Sequence, residues 1–305
     1  MKVIIIGAQG MLGHALSDVF SRATQKLLLW DRGDLDIVNR AAVEMAIGRE
    51  KPDILINAAA YTDVDGAEKE RERAMQVNAT GVGNLADTCA KLQITMVHYS
   101  TDYVFDGKNP NGYKESDVAG NPVNFYGRSK LAGEELFVSP FKPLNLEHGI
   151  YRWYLVRTSW LYGPHGKNFP LSMIERVRGG QKEFKVVNDQ HGRPTYTYDL
   201  AHGTFELLKS KSPAGIYHLT NSVKDNTSGQ KEPSVTWFDF TTEIFHRAVA
   251  FDPAFHEVSV GPCTSVDFPR PAIRPNYSIL VSTKRPPLRL WEDALQDYLR
   301  SHVFA

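Results

Sequence analysis

The chain has 305 residues, 42% of them apolar and 23% charged, a length and balance that suit a soluble globular protein with one large domain or two interleaved ones. Lys plus Arg and Asp plus Glu both number 35, so no net field points to nucleic acid or an anionic membrane, and any substrate has to be recognised locally. No apolar stretch approaches the roughly 20 residues needed to cross a bilayer. The chain enters a strand after a single Lys2, which predicts neither signal nor transit peptide and a cytoplasmic protein.

Strand-like and helical segments alternate through the first half. Apolar runs at Val3 to Ile6, Leu27 to Trp30, Ile54 to Asn57, Met96 to Ser100 and Leu155 to Thr158 read as strands. Apolar spacing at Leu12 to Phe20, Ala41 to Ile47, Ala74 to Leu92 and Tyr126 to Phe137 reads as helices between them. Such alternation, with right-handed crossovers, predicts an α/β protein whose doubly wound parallel sheet is of the Rossmann type.

After about Gly163 the texture changes to Pro, Gly and polar loops between shorter elements at Asn168 to Arg178, Phe184 to Val187, Leu200 to Lys209 and Phe238 to Val249. This predicts a smaller α/β lobe. Residues 1–165 are assigned to the dinucleotide-binding domain, with 195–222 returning to it, and residues 166–194 and 223–305 to the substrate-binding lobe. Lys224 to Pro233, polar and glycine-bearing, reads as a surface loop or insertion. Only Cys89 and Cys263 occur, and Cys89 falls in a helical pattern as a buried free thiol.

The first strand runs directly into Gly7, Gly10 and Gly13. Gly7 permits a tight turn, Gly10 lets backbone approach a pyrophosphate, and Gly13 lets the following helix pack closely on the strand. That helix would then aim free amides and its positive dipole end at the anion. The second strand ends in Asp31, where a dinucleotide fold places the acid that holds the adenosine ribose hydroxyls.

Tyr126 and Lys130 stand four residues apart, hence on one helix face. A neighbouring cation favours the phenolate, so the spacing predicts a lowered tyrosine pKa and a usable proton donor. Ser100 and Thr101 close the strand that begins near Met96, and strand C-termini form the ligand crevice of an open parallel sheet. A hydroxyl from there and the phenol can converge on one carbonyl oxygen and polarise it for hydride attack, although one of the two hydroxyls can equally be a strand-end cap.

These residues, with Asn57 to Thr62, Val77 to Ala79, Ser100 to Asp106, Arg157 to Tyr162, Asp189 to Thr195, Gly215 to His218 and Arg270 to Pro275, resemble the extended short-chain dehydrogenases/reductases over nearly the whole chain. The resemblance implies reduction, by NADPH or NADH, of the C4 keto group of a nucleotide-linked 6-deoxyhexose, with dTDP-4-dehydro-L-rhamnose giving dTDP-L-rhamnose as the expected reaction. It implies Thr101, Tyr126 and Lys130 as the catalytic set. It also puts Gly10, Met11 and Leu12 along the pyrophosphate, Asp31 and Arg32 at the adenosine ribose, Asp36 and Ile37 near the adenine, and Ala58, Ala59 and Ala60 beside the cofactor.

For the sugar nucleotide the resemblance points to Tyr103, Trp160 and the segment from Gln190 through Arg193 to Thr195. An indole face covers the apolar side of a deoxysugar well, although a tryptophan at a strand end is as readily core. Arg193 and Arg274 are expected either to pair with diphosphate oxygens or to face solvent as ordinary charges. Ile273 breaks the family's pairing of arginines around Arg274, and the connections Pro140 to His148 and Lys224 to Pro233 look longer than usual.

Asp31 suits the free 2′-hydroxyl of NAD while Arg32 suits the phosphate of NADP, so dual use is expected. None of the ten histidines falls in a metal-binding pair, and hydride transfer needs no metal. His98 reads as a packed core residue. The resemblance leaves room for a homodimer, with magnesium serving oligomerisation only. Two rival readings stand beside the main one: a ketoreductase making another deoxysugar, and a non-catalytic NADP-binding subunit like the beta subunit of methionine adenosyltransferase.

Overall fold

The computed structural model describes residues 1–141, 152–224 and 233–305. Strands β1 (Lys2–Ile6), β2 (Lys26–Trp30), β3 (Ile54–Asn57) and β4 (Thr95–Thr101) alternate with helices α1 (Met11–Ser21), α2 (Arg40–Glu50), α3 (Arg71–Met75) and α4 (Gly81–Leu92). After β5 (Tyr113–Lys114) come α5 (Phe125–Val138), β6 (Trp153–Thr158), β7 (Leu161–Tyr162), α6 (Phe169–Arg178) and β8 (Glu183–Val187). Then follow β9 (His191–Gly192), β10 (Thr195–Tyr196), α7 (Thr197–Lys209), β11 (Gly215–His218) and β12 (Asn221–Ser222). The remainder carries β13 (Val235–Thr236), α8 (Trp237–Ala248), β14 (Ser259–Cys263), β15 (Leu280–Val281), β16 (Leu288–Leu290) and α9 (Trp291–Tyr298).

Six of these strands form one sheet in the order β11-β6-β4-β3-β1-β2, parallel throughout. Val3, Ile4, Ile5 and Ile6 are all buried, as a strand covered on both faces requires. On one face α1 supplies Leu12, Ala15, Leu16 and Phe20 at helical spacing; on the other α2 and α4 supply Val43, Ile47, Val82 and Leu85. From β1 the chain winds to β2 on one side, and from β3 it winds the other way. The crevice at this reversal is where such sheets bind ligands. The fold is thus α/β of the Rossmann type. Ile6, Trp30 and Asn57 lie level in register, so their strands end together at that crevice.

A second apolar cluster lies beside the first, built from α6, β8, α8 and α9 around Ile174, Phe184, Phe240, Ile244 and Leu295. Between the two, α7 places Leu200, Ala201 and Leu207 in the core of the sheet, and β11 joins the sheet edge at β6. Three helix starts are set by side-chain caps: Asn124 accepts from Gly127 N (2.8 Å) at α5, Asn168 from Leu171 N (3.0 Å) at α6, and Thr236 with Asp239 forms a capping box at α8.

One helix departs from the sequence reading. The pattern from Ala74 to Leu92 predicts one continuous helix, but a π turn at Gln76–Thr80 separates α3 from α4. The reason lies in Asn78, whose side chain is committed elsewhere. Its Oδ1 accepts from Tyr61 N (2.8 Å), and its Nδ2 donates to Tyr61 O (3.0 Å) and to Ser129 Oγ (3.0 Å) on α5. A Cβ at Gly133 would overlap the Asn78 carbonyl, so α5 docks on this turn only because that position is glycine. The two long connections fall largely outside the described residues. Cys89 is buried and both cysteines are free. Among the described residues no helix is long and apolar enough to cross a membrane.

Candidate active site

A cavity of about 930 Å³ opens over the strand ends, walled by the turn after β1, Asp31 and Arg32 after β2, Ala58 to Ala60 after β3, Thr101, helix α5 and Trp160 after β6. Gly7 takes a φ of +79°, and both Gly7 N and Ala8 N donate to Trp30 O, at 2.8 and 3.1 Å. A Cβ on Gly7 would come within 2.6 Å of Ala59 N, and one on Gly13 would overlap Gly7 O, so a side chain at Gly7 would push the turn off the backbone after β3 and one at Gly13 would push α1 off the turn. Gly10 gives α1 no side-chain cap, which leaves the first-turn amides available to a ligand. Met11, Leu12, Asp36 and Ile37 also line the cavity.

Asp31 is itself part of the scaffold. Its Oδ2 accepts from Gln9 N (3.1 Å) and its Oδ1 from Arg32 N (2.6 Å), which ties the β2 end to the glycine turn. The Arg32 side chain, exposed at the rim, has no ion-pair partner among the described residues. Deeper in, Ser100 Oγ and Thr158 Oγ1 are buried on the wall without a hydrogen-bond partner. Buried polar atoms are nearly always satisfied. Two such orphans on a cavity wall, beside a glycine cradle and free amides, fit a ligand with polar atoms of its own, and a dinucleotide has this shape and chemistry.

The chemistry-bearing side chains Thr101, Tyr126 and Lys130 all line this cavity. Thr101 Oγ1 donates to Asp102 Oδ1 (2.8 Å) and accepts from Tyr103 N (3.2 Å). Lys130 Nζ donates to Tyr99 O (2.7 Å), and burial draws its pKa down to about 8 against the opposing pull of Glu134. Burial pushes the Tyr126 phenol up, Asp102 pushes the same way, and the Thr101 hydroxyl opposes them. The lowered phenol pKa expected from the Tyr126–Lys130 spacing is therefore not what the structure has: burial dominates, the opposing pull comes from Thr101, and the phenol keeps its proton. Burial also raises Asp102, to about 6.

Helix α5 is held to the sheet by a buried fork. Arg157 on β6 donates to both Glu134 oxygens, from Nε at 2.9 Å and Nη2 at 2.7 Å. His98, expected as core, is fully buried, and its Nδ1 accepts from Asn57 Nδ2 (3.1 Å).

Trp160 lines the cavity with a φ of +48°, a left-handed backbone that costs a bulky residue about 1–3 kcal/mol. Tyr103 packs edge-on to Tyr126 with ring centres 6.0 Å apart, and does not line the cavity itself. Gln190, Arg193, Thr195 and Arg274 do not line it either. Arg193 is buried, donating from Nη1 to Leu280 O (2.9 Å) and from Nη2 to Pro233 O (3.2 Å). Thr195 is buried in β10. Arg274 forks onto Asp65, at 2.9 and 3.1 Å. Both arginines thus have donors committed within the protein, so neither is an ordinary solvent-facing charge.

The cavity wall also holds Asp102, Arg73 and Lys167, which sequence reasoning did not single out. Asp102 was within reach, since it adjoins Thr101 in the same motif; Arg73 and Lys167 carry no local signal. Among the described residues no group of three or more His, Cys, Asp or Glu side chains can hold a metal ion.

Comparison with known proteins bears on what this cavity serves. The model of the RmlD substrate binding domain matches residues 1–303. A dTDP-4-dehydrorhamnose reductase of Streptomyces griseus is 38% identical, covering 96% of this chain and 91% of that one. A dTDP-4-keto-6-deoxy-D-glucose reductase of Streptomyces niveus is 34% identical over 96% and 94% of the two chains. The crystal structure of dTDP-4-dehydrorhamnose reductase from Bacillus anthracis in complex with NADP superposes with a TM-score of 0.84 at 35% identity, covering 98% of this chain and 99% of that one.

Proposed function

Because the chain belongs to the RmlD substrate binding domain family, we propose that it is an NAD(P)H-dependent reductase of the C4 keto group of dTDP-4-dehydro-L-rhamnose, giving dTDP-L-rhamnose. The observation that carries this reading is that Thr101, Tyr126 and Lys130 line the same cavity as the glycine turn.

In this reading Gly7, Gly10, Met11, Leu12 and Gly13 hold the pyrophosphate, Asp31 and Arg32 the adenosine ribose, Asp36 and Ile37 the adenine, and Ala58 to Ala60 the cofactor flank. Bound NAD(P)H supplies a hydride to C4. Tyr126, whose phenol stays protonated through neutral pH, gives its proton to the C4 oxygen. Thr101, its hydroxyl anchored on Asp102, orients that oxygen. Lys130 holds the ribose of the reacting ring with an ammonium fixed on Tyr99 O. Trp160 and Tyr103 face or support the hexose, and residues 166–194 and 223–305 form the sugar-nucleotide lobe.

Steady-state turnover with dTDP-4-dehydro-L-rhamnose and each nicotinamide tests the reading, with the product isolated and its C4 configuration determined. Absence of sugar-dependent NADPH and NADH oxidation sinks it. The Streptomyces niveus relative gives one rival an observation of its own, since that protein is named for a different 4-keto sugar. A C4 epimer of rhamnose as product would favour that rival.

A further inference from the structure

Trp160 puts an indole on the cavity wall, and part of what keeps that ring in place is remote in sequence. That part comes from 77 residues downstream, at the first residue of α8. The rings of Trp160 and Trp237 lie 3.6 Å apart between centres and 6° from parallel. Phe169 packs on Trp237 in turn, with ring centres 4.5 Å apart. The edge of the Trp160 indole runs over Gly192, where a Cβ would come within 2.5 Å of Cε2, so no other residue leaves room for the ring.

Trp237 is itself anchored. Its Nε1 donates to Gln190 Oε1 (3.1 Å), Gln190 Nε2 donates to Ser265 Oγ (2.8 Å), and Ser265 Oγ donates to Asp189 Oδ1 (2.7 Å). Three segments of the second lobe thus converge on the back of one indole. Trp237 does not line the cavity, so whatever it does for a ligand it does through Trp160.

We propose that Trp237 is a positioning residue that locks the Trp160 indole as the fixed wall against the sugar, setting affinity for the nucleotide sugar and leaving the proton and hydride steps alone. A preformed flat wall binds without first having to be ordered, whereas an indole free to rotate out of its left-handed turn must be immobilised by each incoming sugar. The proposal rests on the functional reading above and adds the residue that makes the wall rigid.

The test uses the full chain carrying Trp237→Leu and, separately, Trp237→Phe. Readouts are KM for dTDP-4-dehydro-L-rhamnose, kcat, NADPH affinity by fluorescence titration, and the near-ultraviolet circular dichroism of the paired indoles. Trp237→Leu is expected to raise KM about tenfold with kcat and NADPH affinity within about twofold, because only uniform sugar binding is lost. Trp237→Phe, which keeps a flat ring, should raise KM about threefold, and both variants should lose the indole-pair signal.

An unchanged KM in Trp237→Leu with the indole-pair signal gone overturns the proposal, as does an equal loss of kcat and NADPH affinity, which would mark a merely structural role. Should Trp237→Leu fail to fold, an unchanged KM in Trp237→Phe overturns it alone. A wild-type chain with no NADPH oxidation on this sugar overturns the functional reading instead, which separates the two failures.

Discussion

The two ends of the cavity are built by opposite means. At the dinucleotide end, one short stretch from β1 into α1 does nearly everything with backbone: a left-handed glycine, two positions that tolerate no Cβ, and amides left without a cap. At the sugar end, Trp160 is held by Trp237, Gln190 and Ser265, which are far apart in sequence and contribute side chains. Backbone geometry is general and serves any dinucleotide. Side chains drawn from distant segments are particular, and each can be exchanged to suit another sugar. One fold can therefore keep its cofactor while changing its substrate.

The largest effect expected on this contrast comes from the corner where the ends meet. Tyr126→Phe should cut kcat by about a hundredfold or more, about 2.7 kcal/mol, with NADPH affinity nearly intact; fluorescence titration beside turnover checks both halves, and full activity would exclude Tyr126 as the acid. Next, Gly13→Ala should damage the dinucleotide end alone. Its methyl meets rigid backbone at Gly7, and overpacking of that kind costs about 1–3 kcal/mol. The expected outcome is NADPH affinity down roughly tenfold or more with dTDP-L-rhamnose binding unchanged, read by calorimetry with each ligand.

The pH profile separates the lysine from the phenol. Lys130 is cationic below about pH 8 and loses its charge as pH rises through that value, whereas Tyr126 stays protonated there. So kcat/KM should fall about tenfold per pH unit above about 8. In Lys130→Arg, whose charge persists, the fall should disappear whatever the residual rate. A limb that stays in place in that variant would assign it elsewhere. The smallest effect is expected at the rim: Arg32→Ala should lower preference for NADPH over NADH by about fivefold, near 1 kcal/mol, in paired kcat/KM measurements.

How legible each end was in the sequence follows from the same contrast. The glycine turn, Asp31 and the Tyr126–Lys130 pair lie close along the chain, and strand-helix alternation fixes which end of the sheet they occupy, so local pattern was enough. The π turn at Gln76–Thr80 was invisible because one extra residue barely disturbs helical apolar spacing, and its cause, Asn78, bonds residues 17 and 51 positions away. That Arg274 does not face solvent was not legible, because its partner Asp65 lies 209 residues off. The raised phenol of Tyr126 escaped for a different reason: helix spacing reports which charges are near, but not how much water the fold has removed.

Asn78 ties the two ends together. One amide side chain joins Tyr61, at the cofactor wall, to Ser129, whose hydroxyl donates to Tyr126 O (2.8 Å). An amide does not stretch, so the backbone that carries Tyr126 is held at a set distance from the cofactor wall as by a connecting rod. The acid and the wall beside the dinucleotide turn thus keep one fixed register, and a chain that lost this rod would have to align them separately.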